Sequence, residues 1–357
     1  MNKTSKFFKN KIVIVTGHTG FKGTWLALWL KLLGAKVIGV SKDIPTKPSM
    51  FLKIKLKSRI THIKLDLRNL NKLKKIFIKY KPDFVFHLAA QSLVKKSYLA
   101  PIDTFQSNII GTANVLEALR FVKKKCVSII ITSDKSYKNL EIKRGYKEND
   151  LLGGKDPYSA SKASAELIIQ SYINSFFNTK FNNKKIAIAR AGNVIGGGDW
   201  AKDRLIPDCV RAWSKKKIAI VRNPNSTRPW QHIFEALRGY IDLAIKLSIN
   251  PNLHGEAFNF GPSKLQNKTV FQLILQAKKS WKNIKWKVSK EKNSKFESRL
   301  LKLNSNKAKR KIRWEPKLKF KDSINIVIEW YKIFYEKKEN LFDFSKKQLE
   351  NYNRRIS

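Results

Sequence analysis

The stretch that decides the fold is KIVIVTGHTGFKGTWLALWLKL, residues 11–32. It opens with a run of Ile and Val typical of a buried strand, passes through a glycine-rich turn and continues as an apolar helix over 23–33. Gly17, Gly20 and Gly23 permit a tight turn and a close approach of the backbone to a diphosphate, and the helix N-terminus then faces the negative charge. The strand–turn–helix order favours a dinucleotide-binding turn over a plain glycine turn.

Beyond this stretch the sequence alternates between strand and helix patterns. The alternation predicts an α/β fold with a Rossmann-type doubly wound parallel sheet. After residue 192 Gly and Pro become frequent and the pattern breaks down, which predicts a smaller C-terminal α/β substrate domain. We expect an NAD-binding domain over 1–192, to which 230–262 returns, and a nucleotide-sugar-binding domain built from 193–229 and 263–357. The predicted strands are 11–16, 36–40, 60–66, 83–88, 127–132 and 185–190, and the predicted helices are 23–33, 69–80, 102–124 and 157–178.

The composition is that of a globular chain. Its 357 residues are 42% hydrophobic, enough for a large core, and no apolar run approaches the roughly 20 residues that a membrane span needs. The basic start precedes only a short apolar strand, which argues against a signal peptide. Two cysteines, Cys126 and Cys209, are too few for a disulfide framework. We therefore expect a cytoplasmic protein with no membrane partner.

The net charge of +48 is the most unusual global feature. Such a charge could indicate nucleic acid or another polyanion as a partner. The excess is mostly lysine and is spread along the chain, whereas phosphate and base recognition uses clustered arginine more heavily. A compositional drift of the source genome explains the pattern better, so we expect no specific nucleic-acid partner. The positive field should still help to capture an anionic substrate.

A carboxylate follows the second strand at a spacing typical of dinucleotide-binding sheets. Asp43 lies 23 residues after Gly20, where a carboxylate binds the adenosine ribose and disfavours a 2′-phosphate. An Asx-turn is the structural alternative, and the neighbouring Lys42 leaves some room for NADP. The spacing favours NAD.

Two motifs carry candidate catalytic groups. YSASK places Tyr158 and Lys162 one turn apart on the same face of a helix. A lysine ammonium close to a phenol should lower the phenol pKa, which would make Tyr158 a base near neutral pH. ITSDKSY puts Ser133, Asp134 and Lys135 at the carboxyl end of a strand, where open α/β sheets bind ligands. A hydroxyl, an acid and a possible base indicate proton transfers beyond simple oxidation, and the structural alternative is a solvated turn.

The order of motifs along the chain resembles that of the nucleotide-sugar 4,6-dehydratases, which are extended short-chain dehydrogenases/reductases. TGHTGFKG, DLRN, HLAAQSLV, SNIIGT, TSDK, YSASK, ARAGNVIGGGDW and RNPNSTRPWQH carry the resemblance, which covers residues 11 to about 332. TSDK, NVIGGGDW, DRLIPD and RPWQH are the most specific part and are most similar to the branch acting on CDP-glucose. The resemblance implies NAD as the cofactor, CDP-glucose as the nucleotide-sugar substrate, deoxysugar biosynthesis such as that of O-antigen lipopolysaccharide, and a homodimer built on helices 102–124 and 157–178.

The resemblance also implies site residues at matching positions. Five of the fifteen arginines lie between 190 and 228, which favours bidentate anion recognition there over generic surface arginines. The histidines lack metal-ligand spacing, so no metal site is predicted. The implied cofactor-binding residues are Gly17, Thr19, Gly20, Phe21, Gly23, Asp43, Asp66, Leu67, Leu88, Ala89, Ala90, Asn108, Tyr158 and Lys162. The implied substrate-binding residues are Gln91, Asn193, Arg204, Leu205, Arg222, Arg228 and His232.

The implied reaction is a dehydration through internal hydride transfer. Tyr158 takes the proton of the sugar 4-hydroxyl, Ser133 hydrogen-bonds the same oxygen, and hydride passes from carbon 4 to NAD. A base then removes the carbon-5 hydrogen, Asp134 protonates the departing 6-hydroxyl, and hydride returns to carbon 6. Many 4,6-dehydratases have Glu where this chain has Lys135, whereas the CDP-glucose branch resembles it in having Lys. Lys135 is the predicted base, with a positioning role as the alternative. Burial and Lys162 should lower its pKa, and Asp134 should raise it.

Three other interpretations stay open at this point. The first is a dehydratase of another nucleotide sugar, such as dTDP-glucose or GDP-mannose. The second is an epimerase, which has no need for Asp134 and Lys135. The third is a non-catalytic RNA-binding Rossmann protein, for which an intact Ser133, Tyr158 and Lys162 would serve no purpose. A departure from the resemblance is the pair Phe296-Glu297, which stands where similar proteins carry His-Glu.

Overall fold

A computed structural model describes residues 3–179, 183–282, 284–289, 301–337 and 339–356. Phe296 and Glu297 lie outside these ranges. The strands are β1 (Ile12–Thr16), β2 (Lys36–Ser41), β3 (Thr61–Lys64), β4 (Phe84–His87), β5 (Cys126–Ile131), β6 (Lys184–Ala191), β7 (Val194–Ile195), β8 (Ala219–Val221), β9 (Thr227–Pro229), β10 (Gln231–His232), β11 (Ala257–Phe260), β12 (Asn267–Thr269) and β13 (Trp286–Val288).

The helices connect these strands and cover both faces of the sheet. In chain order they are α1 (Lys3–Phe8), α2 (Phe21–Leu32), α3 (Met50–Lys53), α4 (Leu70–Tyr80), α5 (Val94–Leu99), α6 (Pro101–Phe105), α7 (Gly111–Arg120), α8 (Pro157–Tyr172), α9 (Leu205–Trp213), α10 (Ile233–Ile249), α11 (Val270–Ser280), α12 (Asn306–Ile312), α13 (Phe320–Glu336) and α14 (Leu341–Ile356).

The central sheet has seven parallel strands in the order β3-β2-β1-β4-β5-β6-β11. Its strands are apolar runs because both faces are covered: Val13 and Val15 of β1 enter the larger core, and Ile14 enters the smaller one. The strand order reverses between β1 and β4, which opens a crevice at the carboxyl ends of the strands. The predicted α/β fold with a parallel, doubly wound sheet is confirmed.

Two predicted helices contain a wider turn that the sequence did not indicate. The helix expected over 102–124 consists of α6, a π-helical turn at Gln106–Ile110 and α7. The helix expected over 157–178 consists of α8 and a second π-helical turn at Ile173–Phe177. In the first turn the buried Asn108 amide hydrogen-bonds outside its helix, to Gln91 and Ser161. Such turns often accompany functional sites.

The C-terminal part adds short strand pairs outside the central sheet. β7 pairs with β10, β8 with β13, and β9 with β12, whereas β11 pairs with β6 at the edge of the large sheet. The division into two domains at the predicted boundaries stays a prediction. Within the described residues, no helix has both the length and the apolar character that crossing a membrane requires.

Candidate active site

The glycine-rich turn after β1 has the shape that a dinucleotide diphosphate requires. Gly17 adopts a positive φ of 76°, and a Cβ there would lie 2.7 Å from the Ala89 backbone nitrogen, so a side chain would close the gap between the β1 and β4 loops. Helix α2 begins at Phe21 with Gly20 as its N-cap, and no described side chain caps it. Its first N–H groups can therefore bind an anion. The residues fit the cofactor that the sequence implies.

The adenosine end of the crevice favours NAD over NADP. The Thr19 hydroxyl donates to the Asp43 carbonyl at 2.6 Å, which holds the loop after β2 against the glycine turn. The Asp43 side chain is exposed. Lys42 is the residue that could bind the 2′-phosphate of NADP. Its ammonium lies 3.7 Å from Asp66 and 3.9 Å from Asp103. Its charge is thus directed to carboxylates of the protein.

Asp66 and Leu67, the residues implied for adenine, are held in place by side chains. Arg68 donates to one Asp66 oxygen through Nε at 3.0 Å and through Nη2 at 2.6 Å, and this contact lowers the pKa of Asp66. The Asn114 amide donates to the Leu67 carbonyl at 2.8 Å. The segment after β3 is therefore rigid and carries an ionised carboxylate.

The loop after β4 is folded onto itself and onto α8. Ala89 donates its N–H to the Thr16 hydroxyl at 3.3 Å, which fixes Leu88–Ala90 beside the glycine turn. The Asn108 amide accepts from the Gln91 N–H at 2.7 Å and donates to the Ser161 hydroxyl at 2.8 Å. The Gln91 amide contacts the backbone of Leu93 and the Thr104 hydroxyl. The structure thus gives Asn108 and Gln91 a positioning role, and their implied ligand contacts stay predictions.

Four predicted catalytic residues, Ser133, Asp134, Tyr158 and Lys162, come together at the carboxyl ends of β5 and β6. The Ser133 hydroxyl donates to Asp134 at 2.9 Å and is close enough to the Tyr158 phenol to act on its pKa. The Asp134 carboxylate lies against Gly192, where a Cβ would be 3.0 Å from Oδ2. Lys135 sits in the same short helical turn, with its N–H donating to the Ser133 hydroxyl at 3.2 Å.

The pKa of Tyr158 differs from the expectation drawn from the sequence. Burial raises the pKa of Tyr158 to about 12, and the Ser133 hydrogen bond only partly offsets it. The expected lowering is therefore wrong, because desolvation of the phenolate outweighs the Ser133 hydrogen bond and the charge of Arg204, which both lower the pKa. Burial also lowers the pKa of Lys162 to about 8, against the opposing charge of Glu166.

A buried ion pair lies beneath the site and was not predicted from the sequence. Arg190 on β6 pairs with Glu166 on α8, with Nε at 2.9 Å from both carboxylate oxygens. Glu166 also accepts from the Thr132 hydroxyl at 2.6 Å. Arg190 donates to the Tyr137 hydroxyl at 2.7 Å. These contacts lock the helix of Tyr158 and Lys162 to the strand that carries Ser133. No local pattern reveals the pair, since its members are 24 positions apart in the sequence.

The arginine concentration in residues 190–228 is partly structural. Arg190 belongs to the buried pair, and Arg211 binds Asp208 and the Trp200 carbonyl. The interpretation that the whole cluster recognises anions is therefore wrong for these two. Arg204 pairs with Asp199 at 2.9 Å, and its charge acts on Tyr158. This arginine faces the catalytic group.

The other implied substrate residues come from separate elements that follow β6. Asn193 is exposed between β6 and β7, and Leu205 is the first residue of α9. Arg222 lies 3.3 Å from Asp203 and is exposed, and Arg228 donates to the Thr227 carbonyl at 3.1 Å. His232 is buried at the start of α10, where Nδ1 accepts from the Phe234 N–H at 3.2 Å, and burial lowers its pKa to about 3. Its implied contact with the nucleotide stays a prediction.

Lys22 is a second residue of the site that was not predicted from the sequence. Its ammonium donates to the Gly192 carbonyl at 3.5 Å and is close enough to Arg204, Asp134 and Lys162 for their charges to act on its pKa. A signal was present in the sequence, because a lone cation in the first turn of an apolar helix opposes the helix dipole.

The parallel sheet with its glycine turn, and a Tyr–Lys helix facing a Ser–Asp strand end, define the extended short-chain dehydrogenase/reductase class. A profile of the family described as GDP-mannose 4,6 dehydratase matches residues 14–327. The chain belongs to this family of nucleotide-sugar enzymes, which confirms the family predicted from the motifs.

Relatives and solved structures agree with this assignment. The chain is 41% identical to a CDP-glucose 4,6-dehydratase of Salmonella typhimurium over 97% of both chains. It is 26% identical to a dTDP-glucose 4,6-dehydratase of Haemophilus influenzae, covering 89% of this chain and 97% of the relative. Its fold matches a dTDP-glucose 4,6-dehydratase of Bacillus anthracis solved with NAD, at a TM-score of 0.72 and 21% identity over 94% of this chain and 99% of the other.

Proposed function

We propose that this protein is an NAD-dependent CDP-glucose 4,6-dehydratase that converts CDP-D-glucose to CDP-4-dehydro-6-deoxy-D-glucose and water. The observation that carries the proposal is the meeting of Tyr158, Ser133 and Asp134 at one sheet edge, in a chain 41% identical to the Salmonella typhimurium relative. An epimerase would not need the acid Asp134 or the adjacent Lys135.

The first half of the reaction uses the Tyr158–Ser133 pair. NAD supplies a reversible hydride acceptor next to the sugar when it is bound. Tyr158 takes the proton of the 4-hydroxyl as carbon 4 is oxidised, and the Ser133 hydroxyl hydrogen-bonds the same oxygen. Lys162, one turn along α8, orients the nicotinamide ribose. The raised pKa of Tyr158 means that its phenolate has a high affinity for this proton.

The second half removes water across carbons 5 and 6. The carbon-4 ketone acidifies the hydrogen on carbon 5, which Lys135 removes as a proton. Asp134 protonates the 6-hydroxyl, and the carbon–oxygen bond breaks to release water. The hydride then returns to carbon 6 and a proton to carbon 5, so oxidation and reduction cancel. The Ser133 hydroxyl donates to Asp134 at 2.9 Å, which orients the carboxyl group beside the Tyr158–Ser133 pair.

Isotope incorporation tests the reaction and the nucleotide together. Purified protein with NAD is incubated in heavy water with CDP-glucose, dTDP-glucose or GDP-mannose, and products are weighed by mass spectrometry. We expect loss of water and gain of one deuterium with CDP-glucose alone. Turnover of another nucleotide sugar would be consistent with the mechanism but would show that the assignment of CDP as the nucleotide is wrong. Silence with all three, after NAD binding has been shown, would overturn the proposed activity.

The assignment of Lys135 as base has a separate test. Lys135→Met should keep NAD binding but lose exchange of the carbon-5 hydrogen with solvent, because no other group is assigned to remove it. Lys138→Met, an exposed lysine three positions on, is the matched control and should exchange normally. Full exchange in the Lys135 variant would remove this residue from the mechanism and leave it a positioning role.

We further propose a cytoplasmic homodimer that serves deoxysugar biosynthesis, such as that of O-antigen. Support for the dimer comes from apolar side chains exposed along α5 to α8, including Leu99 at 87% and Ile102 at 64% exposure, because contiguous exposed apolar residues favour association. Leu167 on α8 is 62% exposed on the same group of helices. Light scattering should give the dimer mass for the wild type and the monomer mass for Leu167→Glu. A monomeric wild type would overturn this part.

A further inference from the structure

Lys22 occupies an unfavourable place for a cation. It is the second residue of α2, where the positive end of the helix dipole repels an ammonium. Two other cations, Arg204 and Lys162, act on it through their charges. Each of these effects costs free energy, and an apolar residue would avoid them. Retaining a cation at such a position indicates a functional demand.

The surroundings of Lys22 show on which side of the crevice it lies. Its ammonium donates to the Gly192 carbonyl at 3.5 Å, and the Asp134 carboxylate lies against the same Gly192. Arg204, held by Asp199 at 2.9 Å, is close enough for its charge to act on the ammonium. The ammonium is thus near the turn that leads to Asn193 and near Arg204, the residue that precedes α9. Both elements carry residues implied for the substrate, not for NAD.

The local charge balance favours an anionic ligand. The pKa of Lys22 is lowered to about 8, chiefly by burial; the charges of Arg204 and Lys162 contribute to the lowering, and those of Asp134 and Asp199 oppose it. Among the described residues, its hydrogen bond goes to a carbonyl and not to a carboxylate. A phosphate placed beside it would add negative charge next to the ammonium and accept its remaining N–H groups.

We propose that Lys22 binds the sugar-linked phosphate of the nucleotide-sugar substrate. This inference rests on the proposed function only in requiring a nucleotide diphosphate sugar at the crevice. Lys22 is then a specificity-determining residue that distinguishes nucleotide diphosphates from monophosphates, and it couples substrate binding to the Asp134 side of the site. A point cation suits this position because it can contact both the phosphate and the Gly192 carbonyl.

Binding of two simple nucleotides to the NAD-saturated protein tests the inference. CDP carries the second phosphate and CMP lacks it, so calorimetry of both ligands isolates its contribution. Lys22→Met should weaken the binding of CDP by at least about tenfold, which corresponds to the loss of a charge-assisted hydrogen bond. The affinity for CMP should stay within about twofold of the wild-type value. Lys22→Arg should recover part of the CDP affinity. Lys31→Met, an exposed lysine of the same helix, should change neither.

Other outcomes overturn the inference in distinguishable ways. Equal losses for CDP and CMP would give Lys22 a structural role, and a loss of NAD affinity with CDP unchanged would assign it to the cofactor. A fall in kcat with unchanged CDP binding would place it on the reacting atoms. If the wild type binds dTDP better than CDP, the nucleotide in the proposed function is wrong, and the same comparison is made with dTDP and dTMP.

Discussion

Two clusters of charged residues show opposite uses of the same chemistry. Arg190 and Glu166 are buried beneath α8, with 4% and 0% of their side chains exposed, and both are surrounded by further hydrogen bonds. At the rim of the crevice Asp203 contacts Lys95 at 2.6 Å and Arg222 at 3.3 Å, with each side chain more than 40% exposed. The buried pair fixes the catalytic helix. The rim charges are solvated, and the two cations, Lys95 and Arg222, can attract an anion.

The largest expected effect is a loss of unfolding free energy in acid, which depends on buried histidines. Burial lowers the pKa of His18 to about 4 and those of His87 and His232 to about 3. Their stabilising effect is complete above the unfolded pKa near 6.5 and is lost as the pH falls toward the folded values, because the unfolded chain then binds more protons. Each histidine should contribute up to about 1.4 kcal/mol per pH unit.

Urea unfolding at intervals from pH 7 to 5 measures this loss. We expect the free energy of unfolding to fall steeply below pH 6.5, in a range where most carboxylates stay ionised. His18→Gln should reduce the slope, because one titrating group is removed. A constant free energy of unfolding across this range would show that the three rings accept protons without unfolding.

Breaking the buried pair should have the next largest effect. Glu166→Ala leaves Arg190 buried without its counter-ion, so we expect a loss of about 3–5 kcal/mol of unfolding free energy. Glu350→Ala on α14, whose partner Lys346 is 3.8 Å away and exposed, is the control and should change stability by less than about 1 kcal/mol. Similar small losses in both variants would contradict the contrast between buried and exposed pairs.

Replacing both buried partners should cost less than breaking the pair. In the double variant Arg190→Met, Glu166→Leu no charge is left unpaired, and apolar groups fill the space, so much of the stability should return. The Tyr137 hydroxyl keeps its contact with Asn259 at 2.8 Å. Denaturant unfolding of the double and single variants in parallel gives the coupling free energy. A double variant as unstable as Glu166→Ala would mean that the contacts to Tyr137 and Thr132, not the charges, dominate.

The smallest effect on stability is expected at the rim. Asp203→Asn should change the free energy of unfolding by less than about 1 kcal/mol. It releases Lys95 and Arg222 to attract an anionic substrate, so the KM should fall at low ionic strength and converge with the wild-type value at high salt. Steady-state kinetics at two salt concentrations measures both. A salt-independent change in KM would indicate a direct contact of Asp203 with the substrate.

Local patterns explain what the sequence could predict. The turn from Gly17 to Gly23, the Tyr158–Lys162 helix and the Ser133–Asp134 strand end depend on neighbouring residues and on the end of the strand, and the structure brings them to one crevice. The partners of Arg190 and Lys22 come from distant parts of the chain, so no spacing rule reveals them. The pKa of Tyr158 depends on a balance of burial against charge that only three-dimensional packing decides.

The packing of α14 on α2 has a consequence for synthesis of the protein. Trp29 of α2 meets Tyr352 of α14 edge to face with ring centroids 5.8 Å apart, and the Tyr352 hydroxyl accepts from Arg238 of α10 at 2.9 Å. The helix that follows the glycine turn is thus covered by a helix that is synthesised long after it. During translation the apolar outer face of α2 stays uncovered until α14 is made. This lengthens the time during which chaperones can bind the nascent chain.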